Sequence, residues 1–224
     1  MIVLISDIHG DPEILNTIIQ TEKMNKDDVL IVCGDFGLVF NGSKRENNAL
    51  DKLDTLGTTI CYVDGNHESF ELLKSYPCEK WNGGTVHRIR ENILHMMRGQ
   101  VYNIESKKIF TMGGASSEDK QIRIPGKNWW REEIPSVREC DEAVKNLKNN
   151  GCRVDYIITH QAPCKVVHEM GGRIQPEEVG FTGFLDLLTE NVRFEKWYFG
   201  HWHTDISDVL EKYNGVYRRP VIIR

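Results

Sequence analysis

Short apolar runs in this chain stop abruptly at clusters of aspartate, histidine, asparagine and glycine, and this pattern constrains the fold more than any other feature. IVLIS at residues 2–6 leads into Ser6-Asp7-Ile8-His9-Gly10, and DVLIVC at 28–33 into Cys33-Gly34-Asp35-Phe36-Gly37. TICYV at 59–63 leads into Asp64-Gly65-Asn66-His67-Glu68, VDYII at 154–158 into Thr159-His160, and WYF at 197–199 into Gly200-His201-Trp202-His203. Runs that are apolar throughout read as strands buried on both faces. Helical signals separate the first three. Asp11 is an N-cap with Pro12 at the first helical position, followed by a stripe of Ile14, Leu15, Ile18 and Ile19. Residues 44–56 form a second amphipathic stretch, closed by Gly57. Strands alternating with helices imply an α/β sheet covered on both sides. Ligands of such sheets gather at the carboxyl ends of strands, so clusters spread from residue 7 to residue 203 can meet in one place.

Beyond residue 84 the pattern changes. TVHRI, ILHMM, VYNI and KIFTM within 85–112 read as short strands in hairpins. Residues 113–135 are a long polar stretch holding Trp129 and Trp130, and a loop of that length is usually functional or mobile. Ser136 with Glu139 makes a capping box opening a helix to about residue 150. A further helix is expected from Thr182 to about residue 191, and two short strands in 205–224 around a turn at Asn214-Gly215. With no internal repeat or low-complexity linker, the 224 residues read as one domain, 1–224.

Composition excludes several classes. Hydrophobic residues at 40% and charged residues at 27% are ordinary for a soluble globular protein. The opening MIVLIS has no basic segment before it and meets Asp7 and His9 at once, so it reads as neither a signal peptide nor a membrane span. Six scattered cysteines without a C-x-x-C pair point to reduced thiols and a cytoplasmic location, with Cys33 and Cys61 acting as small hydrophobes. A formal net charge of −5 argues against a broad basic surface for nucleic acid, although bound cations would reverse the sign locally.

The clusters carry metal-ligand chemistry. In D-x-H and H-x-H, a single intervening residue in extended chain places both flanking side chains on one side, so Asp7 with His9 and His201 with His203 can each face one site. Imidazole, carboxylate and one amide suit Mn, Zn, Fe or Ni better than Ca. His9, His67, His160, His201 and His203 are five of the eight histidines, and each lies directly after an apolar run. His87, His95 and His168 belong to no such cluster and read as structural.

The ordered series D-x-H, G-D, G-N-H-E, an isolated His and G-H-x-H resembles the full motif set of the calcineurin-like metallophosphoesterases, from residue 7 to residue 203. The resemblance implies a four-layer α/β/β/α sandwich of two packed mixed sheets. It implies one divalent ion on Asp7, His9 and His203, a second on Asn66, His160 and His201, and Asp35 bridging them, with manganese the first expectation and Fe, Zn or Ni accepted. It implies hydrolysis of a phosphomonoester or phosphodiester by metal-activated hydroxide, with Asp35 and Asn66 in the catalytic centre. His67 would lie beside the phosphate without ligating metal, and Glu68 is read as orienting it. The chain departs from the protein phosphatase branch, because Phe36-Gly37-Leu38 follows the G-D motif where that branch has further Asp and Arg residues. A phosphodiesterase acting on a small molecule or nucleotide is the first expectation. A nuclease of the same superfamily is the second reading, since nucleic acid is possible as a partner but not favoured. A non-catalytic scaffold is a third, disfavoured because all eight motif residues are present. No membrane partner is expected.

Some residues carry weaker signals. Trp129 and Trp130, near Arg123 and Arg131, can stack a base or clamp an anion, or one of them packs into the core. Met112-Gly113-Gly114-Ala115-Ser116-Ser117 lacks the Lys-Ser/Thr ending of a phosphate loop and reads as a turn. Asn66, His67 and Arg173 are the candidate substrate contacts, Arg173 following the flexible pair Gly171-Gly172. Asp64 reads as a turn cap.

Overall fold

The computed structural model describes residues 1–223; Arg224, the last residue of the expected domain and of the C-terminal strand region, lies outside them. The first sheet has seven strands in the order β13-β1-β2-β3-β6-β5-β4. These are β1 (Ile2–Ile5), β2 (Val29–Val32), β3 (Thr59–Tyr62), β4 (Cys78–Trp81), β5 (Gly84–Arg88), β6 (Ile93–Met96) and β13 (Val221–Ile223). The second has six, in the order β11-β12-β10-β9-β8-β7. They are β7 (Gln100–Ile104), β8 (Lys107–Met112), β9 (Tyr156–Thr159), β10 (Lys196–Phe199), β11 (Ile206–Val209) and β12 (Tyr213–Gly215). Each sheet has a parallel centre, β1-β2-β3-β6 and β12-β10-β9-β8, with antiparallel strands at its edges.

Side-chain alternation along the strands builds the layers. In β1, Val3 and Ile5 pack with Leu15, Ile18 and Ile19 of α1 (Pro12–Thr21) and with Leu50 and Leu53 of α2 (Lys44–Asp54). The alternate residues Ile2 and Leu4 pack instead with Ile109, Ile158 and Tyr198 of the second sheet. In β9, Ile158 faces that middle core, while Ile157 faces Ala143 and Leu147 of α4 (Val137–Asn149), Val166 of α5 (Cys164–Glu169) and Leu185 and Leu188 of α6 (Val179–Asn191). Strands apolar on both faces thus separate three cores, and the result is the α/β/β/α sandwich of two mixed sheets.

The expected helix caps hold. Asp11 accepts from the Glu13 amide, and Ser136 and Glu139 exchange the hydrogen bonds of a capping box. The region 85–112 does form hairpins, but the chain changes sheet at Met97-Arg98-Gly99, so β4-β5-β6 extends one sheet and β7-β8 begins the other. Strand β4 went unforeseen because its alternately exposed residues suit an edge. The helices α3 (Phe70–Ser75) and α5, six residues each, are too short to show a period. The C-terminal expectation needs correction. Asn214-Gly215 lies inside β12, the reversal falls at Leu210 and Glu211, which take left-handed φ of 45° and 70°, and a third strand, β13, crosses to pair with β1. The Asn214 side chain accepts from the Asp208 amide and donates to the Trp197 carbonyl, which locks it into the strand.

Residues 113–135 run through two short 3-10 turns, Lys120–Ile122 and Arg131–Glu133. Trp130 is buried against Phe40 in the first core, as the packing alternative expected, and Trp129 is half-buried. All six cysteines are free, and burial raises the thiol pKa of Cys33 and Cys61 far above its usual range. No helix among the described residues is long and apolar enough to cross a membrane.

Candidate metal centre

The carboxyl ends of β1, β2 and β3 in one sheet abut those of β9 and β10 in the other. Contact there is so close that side chains are excluded at several positions, Gly34 and Gly200 among them. A Cβ on Gly34, which has φ +98°, would lie 2.0 Å from His160 Nδ1. One on Gly200 would lie 2.0 Å from Ser6 Oγ and 2.6 Å from the Cys33 carbonyl oxygen. The first two loops are also laced by backbone bonds, Asp7 N to Gly34 O at 3.1 Å and His9 N to Asp35 O at 3.0 Å.

The local backbone differs from the extended chain expected for D-x-H and H-x-H. Asp7 (φ 52°), His9 (46°), Asp35 (51°), His201 (65°) and His203 (45°) all occupy the left-handed region. These are five of the thirteen such non-glycine residues described. Conformations that cost about 1–3 kcal/mol each persist only where surrounding structure enforces them, and they concentrate at functional sites. Here paired left-handed residues, rather than extended pleating, turn both side chains of each motif toward the same space.

The side chains converge. His9 Nε2 lies 3.0 Å from His203 Nε2, and His203 Nε2 lies 3.4 Å from Asp7 Oδ1. Asp35 is central, with Oδ1 at 3.3 Å from His160 Nε2 and Oδ2 at 3.7 Å from His9 Nδ1 and 3.9 Å from His67 Nε2. Asn66 turns its amide oxygen to 3.3 Å from His160 Nε2. The His201 ring sits edge-on to His160 at 5.0 Å, and its backbone N–H donates to the Asp7 carboxylate. Among the described residues, three sets have ligand atoms close enough to share an ion: Asp7, His9 and His203; His9, Asp35 and His67; and Asp7, Asp35 and His160.

Charge balance favours a cation. Burial disfavours the Asp35 carboxylate, but His160, then His67 and His9, overrides this and holds it well below the usual carboxylate range. Burial likewise opposes the His160 imidazolium, yet Asp35 and Asp7 push that pKa up to about 10. Two buried carboxylates therefore demand positive charge, and a proton on His160 is a partial answer that a divalent ion would replace. Burial lowers the pKa of His9, His67 and His201, the last to about 4, which leaves their ring lone pairs free for a metal. His203 moves up, chiefly through its hydrogen bond with Asp7. The donor set fits divalent transition ions.

A family model described as calcineurin-like phosphoesterase matches residues 1–205. The chain belongs to the calcineurin-like phosphoesterase family. No curated protein matches it. Among solved structures, a putative 5'-nucleotidase from Staphylococcus aureus in complex with alpha-ketoglutarate has a TM-score of 0.52 at 14% identity, over 97% of this chain and 48% of that one. The sulfate thiohydrolase SoxB of Thermus thermophilus in complex with glycerol has a TM-score of 0.45 at 13% identity, over 94% of this chain and 37% of that one. The chain spans less than half the length of either, and the nucleotidase likeness supports the fold.

Around the centre, several residues take parts that the sequence pattern did not assign to them. Glu68 does not orient His67. It is fully buried and accepts from the amides of Gly65 at 2.5 Å and Gly37 at 3.1 Å, tying the second loop to the third. His67 is oriented instead by Asp35, which accepts from its backbone N–H at 2.9 Å. Ser117 accepts from the Asn66 amide nitrogen at 3.2 Å and so turns the amide oxygen inward. Asp64 caps no turn: buried beneath the third loop, it pairs with Arg98 at 2.7 Å and with His95 at 3.1 Å.

The cleft over the centre encloses about 380 Å³ and is lined by His9, Asp35, Asn66, His67, His201 and His203, with Glu118, Asp119, Arg123 and Trp202 completing its wall. Arg173, the expected phosphate contact, is exposed on the loop after α5 and is absent from this lining. That loop approaches the site through Gly172, against which Trp202 packs. A larger cavity of about 900 Å³, lined in part by Trp129 and Trp130, shares none of the cleft residues.

Proposed function

We propose that the chain hydrolyses phosphomonoesters or phosphodiesters of small molecules or nucleotides with two divalent metal ions, manganese first among the candidates. Membership of the calcineurin-like phosphoesterase family supports this reading. The observation that carries the dinuclear reading is the position of Asp35, buried between His160 on one side and His9 on the other. Asp7, His9 and His203 would hold one ion, Asn66, His160 and His201 the second, and Asp35 both. When bound, such a pair supplies Lewis acidity toward a phosphoryl oxygen and a nucleophile that ionises near neutrality.

The protein's own groups do the rest. Glu68 and the laced loops fix the ligand positions before substrate arrives, which lowers the reorganisation needed in the transition state. Ser117 keeps the Asn66 oxygen on the centre. His67, at the mouth of the cleft, faces the same space as Asp35. An incoming phosphate adds negative charge there, which raises the affinity of His67 Nε2 for a proton and lets it donate to the leaving oxygen.

The test is hydrolysis of bis-p-nitrophenyl phosphate and p-nitrophenyl phosphate with EDTA, Mn²⁺, Ni²⁺, Zn²⁺ and Mg²⁺ in parallel. Metal-dependent release is expected, and folded protein that releases nothing with any metal would refute the proposal. His67→Ala should cut turnover by about 10²–10⁴-fold with metal content intact. Loss of both metals in that variant would sink the role given to His67.

A further inference from the structure

We propose that Arg123, carried by the 113–135 segment, is a phosphate-binding residue that biases this site toward terminal phosphate groups. The inference rests on the phosphoesterase reading and adds to it a substrate class, the phosphomonoester.

Arg123 lines the metal cleft, and its Nη2 lies 3.2 Å from His67 Nε2. Its side chain is only 11% exposed although the segment that carries it is polar. Two further contacts hold the guanidinium in one orientation. Nε donates to Asp119 Oδ1 at 2.6 Å, and Nη1 donates to the Asn128 carbonyl at 3.2 Å. A guanidinium has five N–H donors in a fixed fork. With Asp119 and Asn128 each accepting one, donors remain on both terminal nitrogens, and the Nη2 edge is the one turned toward His67. A guanidinium held 3.2 Å from an imidazole, both lining the cleft, is an arrangement completed by an anion. Nothing in the loop requires that edge, since Asp119 and Asn128 already anchor the residue.

The class of anion follows from oxygen count and charge. A terminal phosphate presents three unesterified oxygens and about −1.5 to −2 charge near neutrality, whereas a diester presents two oxygens and a single charge. Arg123 adds, beside His67, a donor fork to a cleft otherwise lined by the carboxylate and imidazole cluster. A phosphate with a third free oxygen can meet both the fork and the cluster, while a diester has one free oxygen fewer to do so. Charge-assisted contacts of a guanidinium to phosphate are the stronger kind and are geometrically demanding. Sequence alone pointed to Arg173 for this role, but Arg173 lies outside the cleft lining. Arg123 replaces it because the 3-10 turn at Lys120–Ile122 brings the segment back over His67.

The experiment compares wild type, Arg123→Ala and Arg123→Lys as metal-loaded full-length protein. It measures metal content, kcat and KM on p-nitrophenyl phosphate and on bis-p-nitrophenyl phosphate, and calorimetric binding of inorganic phosphate. Arg123→Ala should lose about 10- to 100-fold in kcat/KM on the monoester and a similar factor in phosphate affinity, with a smaller loss on the diester and unchanged metal content. Lysine should restore part of the affinity, because it keeps the charge but loses the fork. Added guanidinium should partly rescue the Ala variant on the monoester. Equal losses on both esters with unchanged phosphate affinity would overturn the proposal and leave Arg123 as a loop anchor. If wild type hydrolyses neither ester with any metal, the phosphoesterase reading fails, and the phosphate titration still decides whether Arg123 binds phosphate.

Discussion

Two buried residues outside the ligand set give the clearest single-residue expectations. Asp64 is only 1% exposed, and burial alone would raise its pKa, but Arg98 and then His95 hold it well below the usual carboxylate range. Removing one partner of a buried pair leaves an uncompensated charge, so Arg98→Ala should lower stability by about 3–5 kcal/mol in urea unfolding. A loss below 1 kcal/mol would mean that water reaches Asp64. Glu133 behaves in the opposite sense. Burial pushes its pKa up to about 7, against hydrogen bonds from the amides of Ser117 and Trp130. The folded state then keeps its proton where the unfolded chain has already lost it, so stability falls as pH rises from about 4.5 to 7. Allowing for solvent screening, the loss is about 1–3 kcal/mol. Glu133→Gln should flatten that slope, read as the difference in urea midpoint between pH 5 and pH 8. A variant with the same slope as wild type would clear Glu133 of the effect.

At the scale of elements, the centre depends on how closely two sheet edges approach. Gly200 at the end of β10 is not in a left-handed conformation, so its constraint is space alone. Because the Cys33 carbonyl is backbone and cannot swing away, Gly200→Ala must separate β10 from β2. Overpacking of this kind costs about 1–3 kcal/mol. The expected result is lower thermal stability together with weaker metal binding, since His201 and His203 follow directly and Asp7 and Asp35 lie across the seam. Calorimetry and metal analysis on the same preparation check both, and full metal occupancy would show that the seam can open without moving the ligands. The 113–135 segment is an element in the same sense. Through Ser117 and Arg123 it touches Asn66 and His67, although its own sequence has no regular period.

For the molecule as a whole, the proposed centre would join the five loops through their side chains as well as their backbones. Metal that binds only the folded state stabilises it by about 2.7 kcal/mol at a hundred times its Kd. For a chain of this size that corresponds to a rise in Tm of about 5–10 °C. EDTA should therefore lower Tm by a similar amount, and Mn²⁺ should restore it. An unchanged Tm would argue against a preformed centre spanning both sheets.

Much of this was legible in the residues. Apolar runs ending in Asp, His and Asn marked the strands and the candidate ligands, because burial on both faces and side-chain type are set within a few residues. Asp11, Ser136 and Glu139 marked two helix starts for the same reason. The tertiary structure decided the rest. It brought the candidate ligands together through left-handed backbone at Asp7, His9, His201 and His203, a conformation imposed by the lacing of neighbouring loops rather than by those residues' own preferences. It moved Asn214-Gly215 from a turn into a strand, paired Asp64 with Arg98, and put Arg123 rather than Arg173 in the cleft. Each of these joins segments far apart in the chain or turns on how a loop folds back, and no periodicity or short spacing records such a contact.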